Sequence, residues 1–204
     1  MKLYTTDYAP NPRRVRWVMA EKGITDIGLV QIDIMNLEHR THPVVAKTGS
    51  SHLPVLELDD GSVIAESVAI GRYLESLYPQ PNLFGHDARE IADIEMWTRR
   101  LEQRLATPLM LGTRLKAAPL AVLETPNTAV ADYMFEGAAV FCAGLDAHLA
   151  GRDFIAADRL TIADIVCACA FDFARIARFR PDNSLQDLER WLGAMRDRAK
   201  TLEI

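Results

Sequence analysis

The chain has 204 residues, 49% of them hydrophobic and 25% charged, enough to bury a full core in one or two domains. A net charge of −5 argues against a phosphate-tracking surface, so no nucleic-acid partner is expected. No apolar run reaches the roughly 20 residues of a membrane helix, and "MKLYTTDYAPNP" lacks the apolar stretch of a secretory signal, so a cytoplasmic protein without membrane attachment is expected.

The first elements alternate. "KLYTT" and "LVQID" are short β-branched or aromatic runs, and between them "RRVRWVMAEKG" carries Val15, Val18 and Met19 at helical spacing before Gly23 ends the helix. Strand, helix, strand is the order of a parallel crossover unit. A looser stretch, "MNLEHRTHPVVAKTGSSH", has room for one helical turn. "PVLEL" and "SVIA" then flank "DDG", a hairpin signal that makes the last two strands antiparallel. "ESVAIGRYLESLY" puts Ile70, Tyr73, Leu74 and Leu77 on one helical face.

"PQPNLFGHD" is rich in proline, glycine and polar residues and reads as a linker. Beyond it the pattern is helical. "REIADIEMWTRRLEQRL" has an apolar stripe of Ile91, Ile94, Trp97, Leu101 and Leu105, with Trp97 read as packing core. "TPNTAVADYMFEGAAVFCAGLDAHLA" and "SLQDLERWLGAMRDRA" are amphipathic, and "DRLTIADIVCACAFDFARIA" is apolar on almost all sides, as a central helix is. In it Thr161 and Asp164 stand at the N-cap and third helical positions. The expected organisation is a βαβ-ββα domain over 1–79, a linker over 80–87 and an all-helical domain over 88–204. Cys142, Cys167 and Cys169 show no metal-type pairing with histidine, and they read as buried small hydrophobes; neither a metal site nor a disulfide is expected.

Four segments in this order, "APNPRRVRWVMAEKGI" (9–24), "LEHRTHP" (37–43), "LPVLELDDGSVIAES" (53–67) and "DRLTIADI" (158–165), resemble the cytosolic glutathione transferase family, and the likeness spans essentially the whole chain. The resemblance implies an α/β thioredoxin-like N-terminal domain followed by an all-α domain. On its own, Leu53-Pro54 reads as a trans edge-strand start. The resemblance implies a cis bond there, which turns the Leu53 backbone toward the cysteinyl part of glutathione. It also implies that Glu66 and Ser67 hold the γ-glutamyl end, at a helix start that suits a carboxylate, while Ser67 also caps its helix. His39 and His52 are the candidates for the glycyl carboxylate, with Lys47 and Ser51 as alternatives on the same loop.

The family activates the glutathione thiol, which titrates near about 8.5 when free. The position of serine- and cysteine-type activators is Ala9 here, and that of tyrosine-type activators is Thr5. The best remaining donor is Asn11, expected as the N-cap before Pro12, with Thr6 and Tyr8 as second choices. An Asn at this place resembles the nu-type members, which reduce disulfides with glutathione. "APNP" stands where a thioredoxin has Cys-x-x-Cys and the first domain holds no cysteine, so thiol–disulfide work would use only the thiols of glutathione.

The resemblance therefore implies a transferase that joins glutathione to a small hydrophobic electrophile. The electrophile is expected against the first long helix of the second domain, where Trp97, Arg100, Arg104, Met110 and Arg114 lie. Glutathione-dependent disulfide reduction and non-catalytic binding of glutathione with a hydrophobic ligand are the alternatives. A homodimer is expected, using the charge-dense stretch Glu95 to Arg104.

Overall fold

The computed structural model describes all residues, 1–204, which form two compact units, Met1–Pro81 with Ile204 and Asn82–Glu203. In the first, β1 (Lys2–Thr5), β2 (Gly28–Gln31), β3 (Val55–Glu57) and β4 (Val63–Ala65) make a four-stranded sheet in the order β2-β1-β3-β4. β1 and β2 are parallel, and β1–β3 and β3–β4 are antiparallel. Helix α1 (Pro10–Glu21) makes the crossover, a 3-10 turn (Glu38–Arg40) and the short α2 (Pro43–Ala46) precede β3, and α3 (Ser67–Leu77) follows β4. This is the thioredoxin-like domain expected from the sequence.

Local chemistry accounts for the element ends. Gly23 holds φ 63°, Gly23 N donates to Ala20 O and Ile24 N to Met19 O at 2.9 Å, a Schellman stop that needs the left-handed residue a glycine supplies. The "DDG" loop closes with Leu58 N donating to Ser62 O. Tyr4, Ile32, Val45 and Val55 form a core on one face of the sheet, while Leu3 and its register partner Leu56 are fully buried on the other. Helices α1 and α3 pack together, and the Lys22 ammonium ties their far ends by bonding Glu75 at 2.6 Å, Tyr78 O and Pro81 O. The buried face of α3 is Ser67, Ile70, Gly71 and Leu74; Leu77, expected in that stripe, lies in the last turn and is 46% exposed.

The second unit is helical: α4 (Ala88–Leu101), a π-helical turn (Glu102–Ala106), α5 (Thr107–Lys116), α6 (Thr128–Leu149), α7 (Ile162–Ala174) and α8 (Gln186–Thr201). The π turn sits just ahead of Pro108, which lacks the N–H a regular turn would use. The seam of the long helix is Ile94, Thr98, Leu101 and Leu105, with the Thr98 hydroxyl satisfied by Ile94 O at 2.8 Å. Ile91 lies off this phase and is 40% exposed. Helices α5 and α6 approach closely at Gly112, where a Cβ would lie 2.6 Å from the Phe135 ring. Residues 82–87 are not bare chain: Leu83 and Phe84 are buried, and Arg159 donates to Asn82 and Glu90. That guanidinium pulls the Glu90 carboxyl down to about 2.

Helix α7 is nearly all buried and begins at Thr161. Asp164 accepts from Thr161 N, the Thr161 hydroxyl and Ile155 N, each at 2.9 Å. Burial nevertheless outweighs these donors and raises the carboxyl to about 6 from an ordinary 3.8. The folded state thus holds this proton longer than the unfolded chain, so the group's contribution is greatest below pH 3.8 and is lost as pH rises through about 6. Urea melts should show the native chain losing stability relative to Asp164→Asn across that window. Asp164→Ala should cost about 2–4 kcal/mol at pH 7, because three donors lose their acceptor. Parallel pH profiles for the native and Asn chains would contradict this account.

Candidate active site

The register Tyr4↔Val55↔Ala65 brings the end of β1, the start of β3 and the end of β4 to one edge of the sheet. The loop into α1, the Leu53–Pro54 bond and the Glu66–Ser67 junction therefore sit side by side. Ile32 N donates to Thr5 O at 2.8 Å, so the chain leaving β2 starts from the same edge. Helices α1 and α3 both begin here, with the positive ends of their dipoles toward this edge. These are the segments that the sequence singled out, except for the loop holding His39 and His52.

The Leu53–Pro54 peptide is cis, as the resemblance implied. Gln80–Pro81 is also cis, which no sequence signal indicated. Glu66 is the N-cap of α3, with φ 67° and ψ 117°. A non-glycine residue held there costs about 1–3 kcal/mol, and such positions cluster at ligand clamps. Ser67 is the first helical residue, so the expected helix-capping role is corrected: its hydroxyl instead accepts from Arg14 Nη1 at 3.3 Å. Both side chains are buried, Arg14 at 2% and Ser67 at 5% exposure. Arg14 was missed in the sequence because arginines on a charged helix read as solvated, although its i,i+4 spacing to Val18 puts it on the buried face.

At the other helix start, the expected N-cap role of Asn11 is also corrected. Ala9 is the N-cap and Pro10 and Pro12 are the first and third helical residues, so Asn11 is the second. Pro10 suits the first helical position as well as Pro12 does and lies further upstream. The two prolines carry no N–H, which leaves Asn11 as the only one of the first three helical residues with a backbone donor. Asn11 Oδ1 is buried with no partner. Of the second choices, Thr6 is buried at 2% exposure and Tyr8 points out at 66%. Thr5, at the tyrosine-type position, is fully buried with its hydroxyl unpartnered.

His39 lies in the 3-10 turn, half-buried, with Nδ1 enclosed and unpartnered. Its pKa is held below the usual histidine value, first by burial and then by the positive fields of Arg40 and His52. His52 is therefore close enough to act on the ring. His52 is exposed; Ser50 Oγ accepts its backbone N–H at 3.1 Å and lies 2.6 Å from its Nδ1. That contact holds the ring against the loop and leaves Nε2 without a partner in it. Lys47, the alternative, is engaged elsewhere, donating to Glu57 and Gly61 O at 3.3 and 3.1 Å.

Cys142, Cys167 and Cys169 are all buried and none forms a disulfide, and burial pushes Cys142 up to about 12. No group of three or more His, Cys, Asp or Glu side chains is arranged to hold a metal ion. No helix is long and apolar enough to cross a membrane.

In the second unit, Trp97 is half-buried rather than core. It stacks on His148 at 4.1 Å, carries the Arg100 guanidinium at 5.3 Å, and lines a groove of about 720 Å³ with Arg104, Tyr133 and Val140. Arg114 turns instead toward Glu124, 3.8 Å away.

Comparison with known proteins gives the family. Residues 3–82 match the family model described as glutathione S-transferase, N-terminal domain, and residues 110–199 match glutathione S-transferase, C-terminal domain. Glutathione S-transferase 2 of Saccharomyces cerevisiae is 31% identical over all of this chain and 90% of that protein. The crystal structure of Gtt2 from the same yeast superposes with a TM-score of 0.91 over 99% of this chain and 100% of that one. A glutathione S-transferase domain-containing protein of Marinobacter aquaeolei gives 0.90 at 37% identity, covering 97% and 98% of the two chains. A cis proline, an acidic-serine helix start and an asparagine between two prolines thus occur in a sequence that aligns with such proteins over its whole length, and the chain belongs to the glutathione S-transferase family.

Proposed function

We propose that the protein binds glutathione along this sheet edge and uses its sulfur against a small hydrophobic electrophile. Glu66 accepts from the γ-glutamyl ammonium, and Ser67 with the start of α3 donates to the neighbouring carboxylate. The Leu53 main chain beside Pro54 pairs with the cysteinyl residue, and His39 and His52 donate to the glycyl carboxylate. The reading rests chiefly on one observation, the register Tyr4↔Val55↔Ala65, which supports it by bringing the start of α1, the Leu53–Pro54 bond and the Glu66–Ser67 junction together.

The sulfur then falls to the start of α1. With Pro10 and Pro12 supplying no N–H, the donors that can favour a thiolate there reduce to the backbone and side-chain amides of Asn11. The thiol proton leaves to solvent, the sulfur forms a bond to the electrophilic carbon, and the leaving group departs with its electron pair. An amide in place of a hydroxyl also favours a second reaction, as in the nu-type members that the loop resembles. There a glutathione thiolate attacks a mixed glutathione disulfide, oxidised glutathione forms, and the released thiolate takes up a proton. Assays with a generic aryl halide and with a mixed disulfide test both. Asn11→Ala should leave the glutathione Kd within about twofold and reduce turnover about tenfold or more. Unchanged turnover would remove Asn11 from the mechanism, and glutathione binding without either turnover would leave a binding protein.

The histidine role carries a sign. A carboxylate bound beside His39 favours the charged ring, so the complex takes up a proton that the free protein, with its lowered pKa, does not hold at neutral pH. S-Methylglutathione, whose sulfur carries no proton, should bind more tightly as pH falls from 8 to 5.5, and His39→Gln should flatten that trend in calorimetry. An unaltered slope would free His39 of the role.

The groove of the second unit supports a homodimer. Tyr133 and Val140, 72% and 78% exposed, share one face of α6, with Arg100 and Arg104 to one side and Glu136 beside them. A two-fold axis would set arginines of one copy against Glu136 of the other while covering the apolar stripe. Light scattering should give about twice the 22.8 kDa chain mass, falling toward the single-chain value for Tyr133→Glu with Val140→Glu; a native mass of one chain would refute the dimer.

A further inference from the structure

Within the glutathione reading above, on which this inference rests, we infer that Arg14 is a positioning residue for the γ-glutamyl carboxylate, acting through Ser67. An arginine at 2% exposure loses its hydration and stays charged at any working pH, so its burial needs a compensating use. Its Nη1 donates to Ser67 Oγ at 3.3 Å, at the first residue of α3 and on the edge where the expected ligand groups converge.

The bond fixes the direction of the serine. With one lone pair of Oγ taken by the guanidinium, the hydroxyl hydrogen is left to donate outward, which is the polarity a carboxylate requires. A charged donor on the oxygen also polarises the O–H and strengthens that donation. The cation bonds the first residue of α3, so charge, helix dipole and hydroxyl act on the same anionic group. Glu66, held at φ 67° one residue earlier, is left to meet the ammonium on the same carbon. The geometry therefore couples an α1 residue to ligand specificity at α3: an α-amino acid head is selected over a neutral or decarboxylated one.

The test is calorimetry and kinetics with glutathione on the full chain, comparing the native protein with Arg14→Met, Arg14→Lys, Ser67→Ala and the Arg14→Met/Ser67→Ala pair, with thermal melts as the fold control. Arg14→Met should weaken glutathione about tenfold or more in Kd and KM while kcat stays within about twofold. Arg14→Lys should recover part of the loss, and in the Ser67→Ala background Arg14→Met should cost less than about threefold, because the two act as one unit. Cysteinylglycine, which lacks the γ-glutamyl head, should bind the native and Arg14→Met chains alike. Native-like glutathione affinity in Arg14→Met, or losses that multiply with those of Ser67→Ala, would overturn the inference while leaving the site reading intact. Absence of heat from the native protein with glutathione would instead remove the site reading and this inference together. If Arg14→Met fails to fold, Arg14→Lys decides: affinity equal to native overturns the inference, and a loss of about threefold with unchanged kcat upholds it.

Discussion

The antiparallel pairing of β3 between β1 and β4 is the constraint on which the first unit depends. A shift of one residue in that register would move Val55 and Leu56 to opposite faces and separate the two cores they anchor. It would also pull the Leu53–Pro54 bond away from the ends of β1 and β4. Three strands of three or four residues cannot hold register by backbone bonds alone. The apolar pattern does so: Tyr4 and Val55 lie in one core and Leu3 and Leu56 in the other, so a slip exposes all of them.

Chain ends at this edge are governed by which donors are present rather than by apolar burial. Helix α3 opens with a residue in a left-handed conformation and an oxygen that faces a buried guanidinium. Helix α1 opens with two prolines around one asparagine, so its positive end is narrowed to a single residue. The two starts are chemically unlike. One carries a carboxylate and a buried guanidinium; the other carries a single neutral amide.

Most of the architecture could be read in the chain because it follows from patterns with a period. The Gly23 stop, the "DDG" hairpin, the Thr161–Asp164 helix start and the second-unit helices are local signals that tertiary packing did not override. The misplacements have local causes too. Two prolines flanking Asn11 give two acceptable helix starts, and sequence alone does not rank them. The phase of α4 hinges on Thr98, a polar residue whose hydroxyl is satisfied within its own helix and so packs as an apolar one. Arg14 was illegible for a deeper reason. A run of three arginines within four residues looks solvated, and only the packing of α1 on α3 decides which one is enclosed.

The burial of all three cysteines has a practical consequence. The chain's own thiols are shielded from alkylating and oxidising reagents as long as the fold holds, because burial disfavours the thiolate. A thiol introduced by Ala9→Cys would then be the one thiol outside the core, at a helix start. Such a chain would report the electrophile preference of that corner by mass spectrometry of one adduct, without glutathione in the tube.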